Sequence, residues 1–209
     1  MGITKKVLEN CKRPQGMMGR QTIKRMNKSH AELTEWGFSK IDIRDTDTVL
    51  DVGCGGGKAL KLLSKRALHG KLYGIDYSET SVDCACKENK SDVQSGKMMI
   101  VHGSVSDMPF ESDFFDVITS VESYYFWPDL SKDLKEVLRV LKPDGMLLIV
   151  AEMYDHAQQS EKDKQIVQML GMHNNTPEEF RDMLRQAGYQ NVQVEENNEH
   201  GWICVRGIK

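Results

Sequence analysis

The chain has 209 residues, of which 39% are hydrophobic and 28% charged, and its formal net charge at pH 7 is −3. This balance is typical of a soluble globular protein, and no apolar run approaches the ~20 residues that a membrane-spanning helix needs. The weak negative charge argues against binding nucleic acid by phosphate neutralisation. The N-terminal segment lacks the apolar core of a secretory signal. We therefore expect a cytoplasmic protein with neither a membrane nor a nucleic-acid partner.

The spacing of cysteines and histidines gives no sign of a metal site. The five cysteines are odd in number and scattered, which is typical of reduced thiols. Cys84 and Cys86 lie two residues apart in a predicted helix, where their side chains point in different directions. No histidines show ligand spacing. We predict that the protein holds no metal.

From about residue 46 the chain alternates between predicted strands and helices. Apolar and β-branched runs predict five strands, at 48–52, 71–76, 98–101, 115–120 and 146–151. Ser78 is the expected N-cap of a helix that extends to about Lys90. An amphipathic helix is predicted over 129–142, followed by a turn at 143–145. The series predicts an α/β fold in which helices cover both faces of an open parallel sheet.

The C-terminal part of the chain carries the clearest helix signal. Thr176 is the expected N-cap, Pro177 is the first helical residue, and Glu179 completes a capping box. Gly188 is the expected stop of this helix. Two short closing strands follow, joined by a polar turn.

Two segments do not fit this series. Residues 17–38 have the apolar spacing of one helix, and residues 152–175 are too many for an ordinary connection. We expect both segments to cover the ligand crevice at the carboxyl ends of the strands. The predicted organisation is an N-terminal helical cap at 1–45 and a main domain at 46–209, in which 152–175 is a lid insertion.

A glycine-rich loop, Gly53-Cys54-Gly55-Gly56-Gly57, separates the first predicted strand from the next helix. Glycines there let the chain turn tightly and let a ligand approach the backbone. The loop does not match the dinucleotide pattern G-x-G-x-x-G, because the third glycine would fall on Lys58 in one frame and on Leu60 in the other. The loop therefore predicts a different ligand.

Acidic residues at the ends of the first two strands indicate the charge of that ligand. Asp51 lies beside the loop, where it would repel a diphosphate and favour a ligand with an ammonium and a sulfonium group. S-adenosylmethionine carries both groups. Asp76, at the end of the second strand, has the position of an acid that binds two ribose hydroxyls. S-adenosylmethionine is therefore the predicted cofactor.

Five motifs in order resemble those of the class I S-adenosylmethionine-dependent methyltransferases, within residues 46–209. They lie at 49–57, 74–78, 103–110, 115–120 and 138–145. Their order and spacing make the resemblance far more specific than one glycine loop. It implies methyl transfer and a Rossmann-like, open sheet of seven strands, mostly parallel, with the last strand antiparallel and helices on both faces.

The resemblance also implies which residues bind the cofactor. They lie at the ends of strands one, two and four, directly after these ends, or in the third motif: Asp51, Gly53, Cys54, Gly55, Gly57, Asp76, Tyr77, Ser104, Val105 and Ser120. The family commonly has an aspartate where this chain has Ser104. We therefore expect the backbone of Ser104 and Val105 to reach the adenine.

The residues after the fourth strand begin beside the transferable methyl group in this fold. Glu122 is the candidate catalytic residue, which would take a proton from the acceptor or pair with a cationic ligand; the alternative is an exposed loop acid. Tyr124, Tyr125, Phe126 and Trp127 could form an aromatic wall around the acceptor, with Tyr124 and Tyr125 as the candidate substrate contacts. The alternative is that two of the four, Phe126 among them, pack under the amphipathic helix. Asn27 and His30, on the N-terminal segment, are candidate substrate contacts, with surface positions as the alternative.

The acceptor class is argued from motifs that the chain lacks. The stretch 120–123 reads Ser-Val-Glu-Ser, whereas nucleic-acid amino-methyltransferases of this fold use Asn or Asp followed by Pro-Pro and an aromatic residue. The Pro-Cys pair of cytosine C5 enzymes occurs nowhere. A small-molecule methyl acceptor is therefore favoured. The alternatives are a macromolecular acceptor, transfer of an aminopropyl group, and a non-catalytic S-adenosylmethionine-binding module.

Overall fold

The computed structural model describes residues 5–209; residues 1–4, the start of the predicted cap, lie outside the described part. Seven strands form one sheet, in the order β3-β2-β1-β4-β5-β7-β6. Their bounds are β1 Thr48–Val52, β2 Lys71–Asp76, β3 Met98–His102, β4 Phe115–Val121, β5 Leu141–Ala151, β6 Gln190–Asn197 and β7 Trp202–Ile208. The first five strands pair in parallel, and β7 runs antiparallel to β5 and β6. The predicted fold is confirmed.

Nine α-helices are described along residues 5–209. Their bounds are α1 Lys5–Lys12, α2 Gly16–Ser29, α3 Ala31–Phe38, α4 Lys58–Ser64, α5 Glu79–Glu88, α6 Lys90–Gln94, α7 Leu130–Val140, α8 Glu161–Leu170 and α9 Pro177–Ala187. Tyr124–Phe126 forms a 3₁₀ turn. No helix of the described chain is both long and apolar enough to span a bilayer.

The sheet buries both of its faces. Leu50 and Val49 are adjacent on β1, and both are fully buried, but they belong to two separate core clusters because successive strand residues point to opposite faces. Leu134 of α7 packs in the cluster of Leu50, and Leu60 of α4 packs in the cluster of Val49. This explains why the central strands read as continuous apolar runs.

Both predicted N-caps, Ser78 and Thr176, are present, and Asp129 forms a third. Ser78 accepts a hydrogen bond from the backbone of Ser81 at the start of α5. Asp129 caps α7, and Thr176 and Glu179 form the predicted capping box of α9. Gly188 ends α9 at φ +112°, a backbone angle that favours glycine.

The predicted helix over 17–38 is two helices that meet at His30, which has φ −92° and ψ 6°. Each helix docks through a close glycine contact. A Cβ on Gly56 would lie 2.4 Å from Ile23 of α2, and one on Gly37 of α3 would lie 2.3 Å from Val150 of β5. The bend lets both helices pack closely, and it places His30 at the joint.

The predicted turn at 143–145 lies inside β5 rather than before it. Leu141 pairs with Phe115, the register then shifts, and Met146 pairs with Val117. Asp144, at φ +61°, lies among the unpaired residues of β5 between these two pairs. The chain therefore forms a bulge here because residues on both sides of the turn pair with the same strand.

Candidate functional site

A cavity with a volume of about 480 Å³ lies at the carboxyl ends of β1, β2 and β4. This is the point at which the strand order reverses, where open α/β sheets bind ligands. The volume is that of a small-molecule site. Ten of the predicted site residues line it: Asn27, His30, Gly53, Cys54, Gly55, Asp76, Tyr77, Ser104, Val105 and Glu122.

The glycine loop uses its N–H groups within the protein. Gly53 and Cys54 both donate to the carbonyl of Ile75, and Gly55 donates to Asp76 Oδ2 at 2.9 Å. Gly57 donates back to Cys54. A phosphate-binding loop needs such N–H groups for its ligand. The bonding pattern therefore agrees with the exclusion of a diphosphate.

Two glycines of this loop have distinct structural tasks. Gly53 has φ +72°, and a Cβ there would lie 2.4 Å from Ser123, whose hydroxyl bonds to the carbonyl of Val52 at 2.7 Å. Gly55 has φ +52°, and a Cβ there would meet only the carbonyl of Gly53, at 3.9 Å. Gly55 thus faces open space in the cavity, into which any side chain would project.

Asp76 lies on the cavity wall with its carboxylate held in place. Its Oδ1 accepts from the N–H of Ser78 at 2.8 Å, and its Oδ2 accepts from Gly55. Burial raises its pKa, and these two hydrogen bonds oppose that change. Each oxygen keeps a second lone pair, so the carboxylate can still accept from two hydroxyl groups.

Three of the predicted cofactor residues are not on the cavity lining. Asp51 is 2% exposed and accepts from Thr119 Oγ1 at 2.7 Å; burial raises its pKa to about 7. Ser120 is fully buried and bonds to Ser123 at 2.8 Å. Gly57 packs against Ala85 of α5. These three residues pack behind the cavity lining. A direct role in cofactor binding remains a prediction for each.

Glu122 lies on the cavity lining, and its side chain is only 5% exposed. Its Oε1 accepts from the N–H of Glu152 at 2.6 Å, and its Oε2 accepts from the hydroxyl of Tyr125 at 2.8 Å. Burial raises the pKa of Glu122 to about 7, against the effect of both hydrogen bonds. Such a carboxyl can both release and accept a proton near neutral pH, as a general base requires.

Glu122 is also one of the few residues other than glycine with a positive φ, at +55°. Such a backbone costs about 1–3 kcal/mol and clusters at functional sites. The residue follows β4 directly, and Ser123 ties the same turn to β1. The chain therefore accepts strain at the position where the sequence predicted the catalytic group.

The two predicted substrate tyrosines are packed in the core and do not line the cavity. Tyr124 is fully buried against Phe180 and donates to the carbonyl of Met153, while Tyr125 donates to Glu122. Phe126 and Trp127 line the cavity instead. Successive residues of a 3₁₀ turn point about 120° apart, so four adjacent aromatic residues cannot share one wall. This corrects the predicted aromatic wall.

Comparison with known proteins agrees with this geometry. A profile of the methyltransferase domain family matches residues 50–149. The methyltransferase YdaC of Bacillus subtilis is 30% identical over 139 residues, which are 66% of this chain and 75% of that protein. The demethylmenaquinone methyltransferase of Staphylococcus aureus is 30% identical in an alignment 177 positions long, which covers 74% of this chain and 72% of that protein.

The chain belongs to the class I S-adenosylmethionine-dependent methyltransferases. Solved structures share its fold. A methyltransferase solved in complex with the Haloferax volcanii Trm112 methyltransferase activator has a TM-score of 0.80 at 20% identity, with 99% of both chains covered. A SAM-dependent methyltransferase of Aquifex aeolicus has a TM-score of 0.74 at 24% identity, with 90% of this chain and 97% of that chain covered.

The cofactor of this methyltransferase is S-adenosylmethionine, and the cavity fits it. Gly55 leaves room beside the loop that a Cβ would fill, Asp76 presents a carboxylate for ribose hydroxyls, and no loop amide of Gly53, Cys54 or Gly55 is left for a phosphate. Tyr77, next to Asp76, also lines the cavity, and its hydroxyl donates to the carbonyl of Lys12.

Replacing Asp76 with Ala is expected to weaken the binding of S-adenosylhomocysteine by roughly 10- to 150-fold, since two hydrogen bonds to a carboxylate cost about 1.5–3 kcal/mol. Asp76→Asn keeps an acceptor for one of the two backbone donors, so we expect a smaller loss. Calorimetry on both variants measures the effect. Unchanged affinity in Asp76→Ala would remove the ribose assignment.

Sequence reasoning missed Glu152 as a site residue. Val121 pairs with Val150 across β4 and β5, so the residues that follow these parallel strands meet at one edge of the sheet. His30 Nε2 lies 3.6 Å from Glu122 Oε2 and 3.7 Å from Glu152 Oε1. The sequence does contain a signal for this pair, because an acid follows each of two neighbouring parallel strands.

These three residues also bear on the predicted absence of a metal. One ligand-type atom from each of His30, Glu122 and Glu152 lies within 4.8 Å of the others. They come from the α2–α3 joint and the ends of β4 and β5, so no short sequence spacing could reveal them. The absence of a metal remains a prediction.

Proposed function

We propose that this enzyme transfers the methyl group of S-adenosylmethionine to a small-molecule acceptor, and that Glu122 takes the acceptor's proton. The observation that supports this most strongly is the placement of Glu122. It is a carboxyl group with a pKa of about 7, buried on the wall of a small cavity beside the cofactor loop. Bound S-adenosylmethionine supplies a methyl group on a sulfonium, which is activated for displacement.

The chain's own residues account for binding and orientation. The loop around Gly55 and the carboxylate of Asp76 would hold the adenosine part of the cofactor. Tyr125 and the backbone of Glu152 fix the carboxyl group of Glu122 by hydrogen bonds. A base that is held in one orientation does not need to reorganise when it takes the proton.

We further propose that residues 1–45 act as a cap over residues 46–209. Ile23, Met26 and His30 from the described part of this segment line the cavity from above the sheet. They would exclude water and leave room for a small acceptor rather than for a folded macromolecule. Of the segment 152–175, Glu152 reaches the site directly, because its N–H donates to Glu122 Oε1 and its Oε1 lies 3.7 Å from His30 Nε2. No residue of this segment lines the cavity itself, and Lys12 donates to Leu170 of α8, so α8 would act on the site through α1.

The alternatives are separable by one labelling experiment. The enzyme is incubated with methyl-labelled S-adenosylmethionine and a cell extract that is then divided into low-mass, protein and nucleic-acid fractions. We expect label in the low-mass fraction, and its loss in Gly55→Val. The relatives named demethylmenaquinone methyltransferase support this expectation. Label confined to protein or nucleic acid would favour a macromolecular acceptor, and no transfer at all would favour a binding module.

A further inference from the structure

Two carboxylates and an imidazole converge beside the cofactor loop. His30 Nε2 lies 3.6 Å from Glu122 Oε2 and 3.7 Å from Glu152 Oε1, both longer than a hydrogen bond. The imidazole therefore faces both carboxylates without a direct hydrogen bond to either, which leaves a space between the three groups. His30 and Glu122 line the cavity, so this space is continuous with the acceptor side of the site.

The described part of the chain places no permanent cation beside this cluster. Among the residues whose side chains are described, 8–209, the two donors to Glu122 are both neutral, the hydroxyl of Tyr125 and the N–H of Glu152. Among residues 8–209, no lysine or arginine lies within 4.0 Å of either carboxylate. Burial lowers the pKa of His30, although the charge of Glu152 opposes this, so burial disfavours the cationic form of the imidazole. A carboxylate that is 95% buried without a counter-charge is costly, and binding a cation relieves that cost.

The basic residues of the cavity lining are directed elsewhere. Lys12 donates to the carbonyl of Leu170 and lies 5.7 Å above the ring of Phe126. Lys58 lies 3.9 Å from Glu88. The negative cluster is thus available to a cation that arrives with the ligand.

We infer that His30, Glu122 and Glu152 form a binding site for a protonated amine, and that the methyl acceptor of this enzyme is a primary or secondary amine. This inference rests on the proposed small-molecule function. An ammonium group donates two or three hydrogen bonds, which matches three acceptor atoms that converge from three directions. Phe126 and Trp127 line the same cavity, and aromatic rings attract cations. A carboxylate or phosphate acceptor would be repelled here.

The cluster also provides the proton transfer that an amine requires. An ammonium nitrogen has no free electron pair, so it must lose one proton before it can be methylated. Glu122 accepts that proton and becomes a neutral acid, which burial favours. Glu152, whose side chain is 43% exposed, then passes the proton to water. The charged and titratable groups that face Glu122 are His30, Glu152, Tyr124 and Tyr125.

The test compares amines with alcohols of the same shape. Calorimetry on the S-adenosylhomocysteine complex at about pH 7.5 measures benzylamine against benzyl alcohol and phenethylamine against 2-phenylethanol. We expect at least one amine to bind about tenfold or more tightly than its alcohol. In Glu152→Gln this preference should fall to about onefold, with unchanged affinity for S-adenosylhomocysteine. Glu111→Gln, an exposed loop residue outside the cavity lining, is the matched control and should keep the preference.

Four results would overturn the inference, and the last of them leaves the proposed function intact. The first is no preference for either amine in the wild-type enzyme. The second is an equal loss of S-adenosylmethionine affinity in Glu152→Gln, which would assign the cluster to the cofactor's own ammonium. The third is micromolar binding of Zn²⁺ or Mn²⁺ that disappears in His30→Ala, which would make it a metal site. A labelled low-mass product methylated on oxygen, carbon or sulfur would refute the amine while leaving the proposed function intact.

Discussion

Replacing Gly55 with Val is expected to abolish cofactor binding while the fold is retained. A Cβ at this position meets only the carbonyl of Gly53, at 3.9 Å, so the branched side chain would extend into the cavity where the cofactor lies against the loop. The backbone at φ +52° adds strain of roughly 1–2 kcal/mol for a residue other than glycine. Calorimetry with S-adenosylhomocysteine should show a loss of at least about 100-fold, or no measurable heat.

The matched control for this variant is Gly96→Val. Gly96 has φ +73°, close to the angle of Gly55, and nothing lies within 4 Å of a Cβ built on it. It is exposed between α6 and β3, away from the cavity lining. This variant carries the same kind of backbone strain without the obstruction. If both variants bind S-adenosylhomocysteine equally well, the glycine loop does not hold the cofactor.

The parts of the site that sequence could predict are those set by local pattern. The loop 53–57, the acid Asp76 at the end of β2 and the position of Glu122 after β4 follow from strand ends and glycine spacing. Each is placed by its own strand, and parallel strands end at the same edge. Their approach to one cavity therefore required no knowledge of side-chain packing.

The remaining features depend on packing between distant segments. The bend at His30 exists because α2 docks on Gly56 while α3 docks on β5 through Gly37. The apolar spacing of 17–38 gives no sign that the two halves of this segment dock on different surfaces. The orientation of the aromatic residues after Glu122 depends on a 3₁₀ turn that the composition does not specify. The same bend and the end of β5 bring His30 and Glu152 together.

Replacing Glu122 with Gln is expected to lower the turnover rate by ~10²–10⁴-fold while cofactor affinity changes little. The amide oxygen can keep the bond from the N–H of Glu152, and the amide NH₂ can donate to Tyr125, whose hydroxyl also accepts. The substitution thus removes the base and its charge but preserves the contacts. Steady-state kinetics with the identified acceptor, with Glu111→Gln as the control, measures the effect.

Two other kinetic outcomes would contradict a base. A higher Michaelis constant with nearly unchanged turnover would mean that Glu122 only holds the acceptor. Unchanged values of both constants would mean that it has no part in the reaction. For a base with a pKa of about 7, kcat/KM should rise as the pH increases through 7 and then level off. Glu122→Gln should lose this rise.

Folding stability gives a second readout that needs no acceptor. Burial raises the pKa of Glu122 to about 7 in the folded protein, above its ordinary value, so the unfolded chain releases this proton at lower pH. Between these two pKa values the folded state binds more protons, and stability therefore falls as the pH rises.

From about pH 5 to about pH 8, wild-type protein should lose roughly 1–3 kcal/mol more stability than Glu122→Gln. Asp51, whose pKa is also raised, remains in both proteins and is not influenced by Glu122. The charge of Glu122 helps to raise the pKa of Glu152, so the difference in urea unfolding reports the buried charge at position 122 together with its effect on Glu152. Parallel stability curves for the two proteins would show that this carboxyl group titrates normally and is not held neutral by its surroundings.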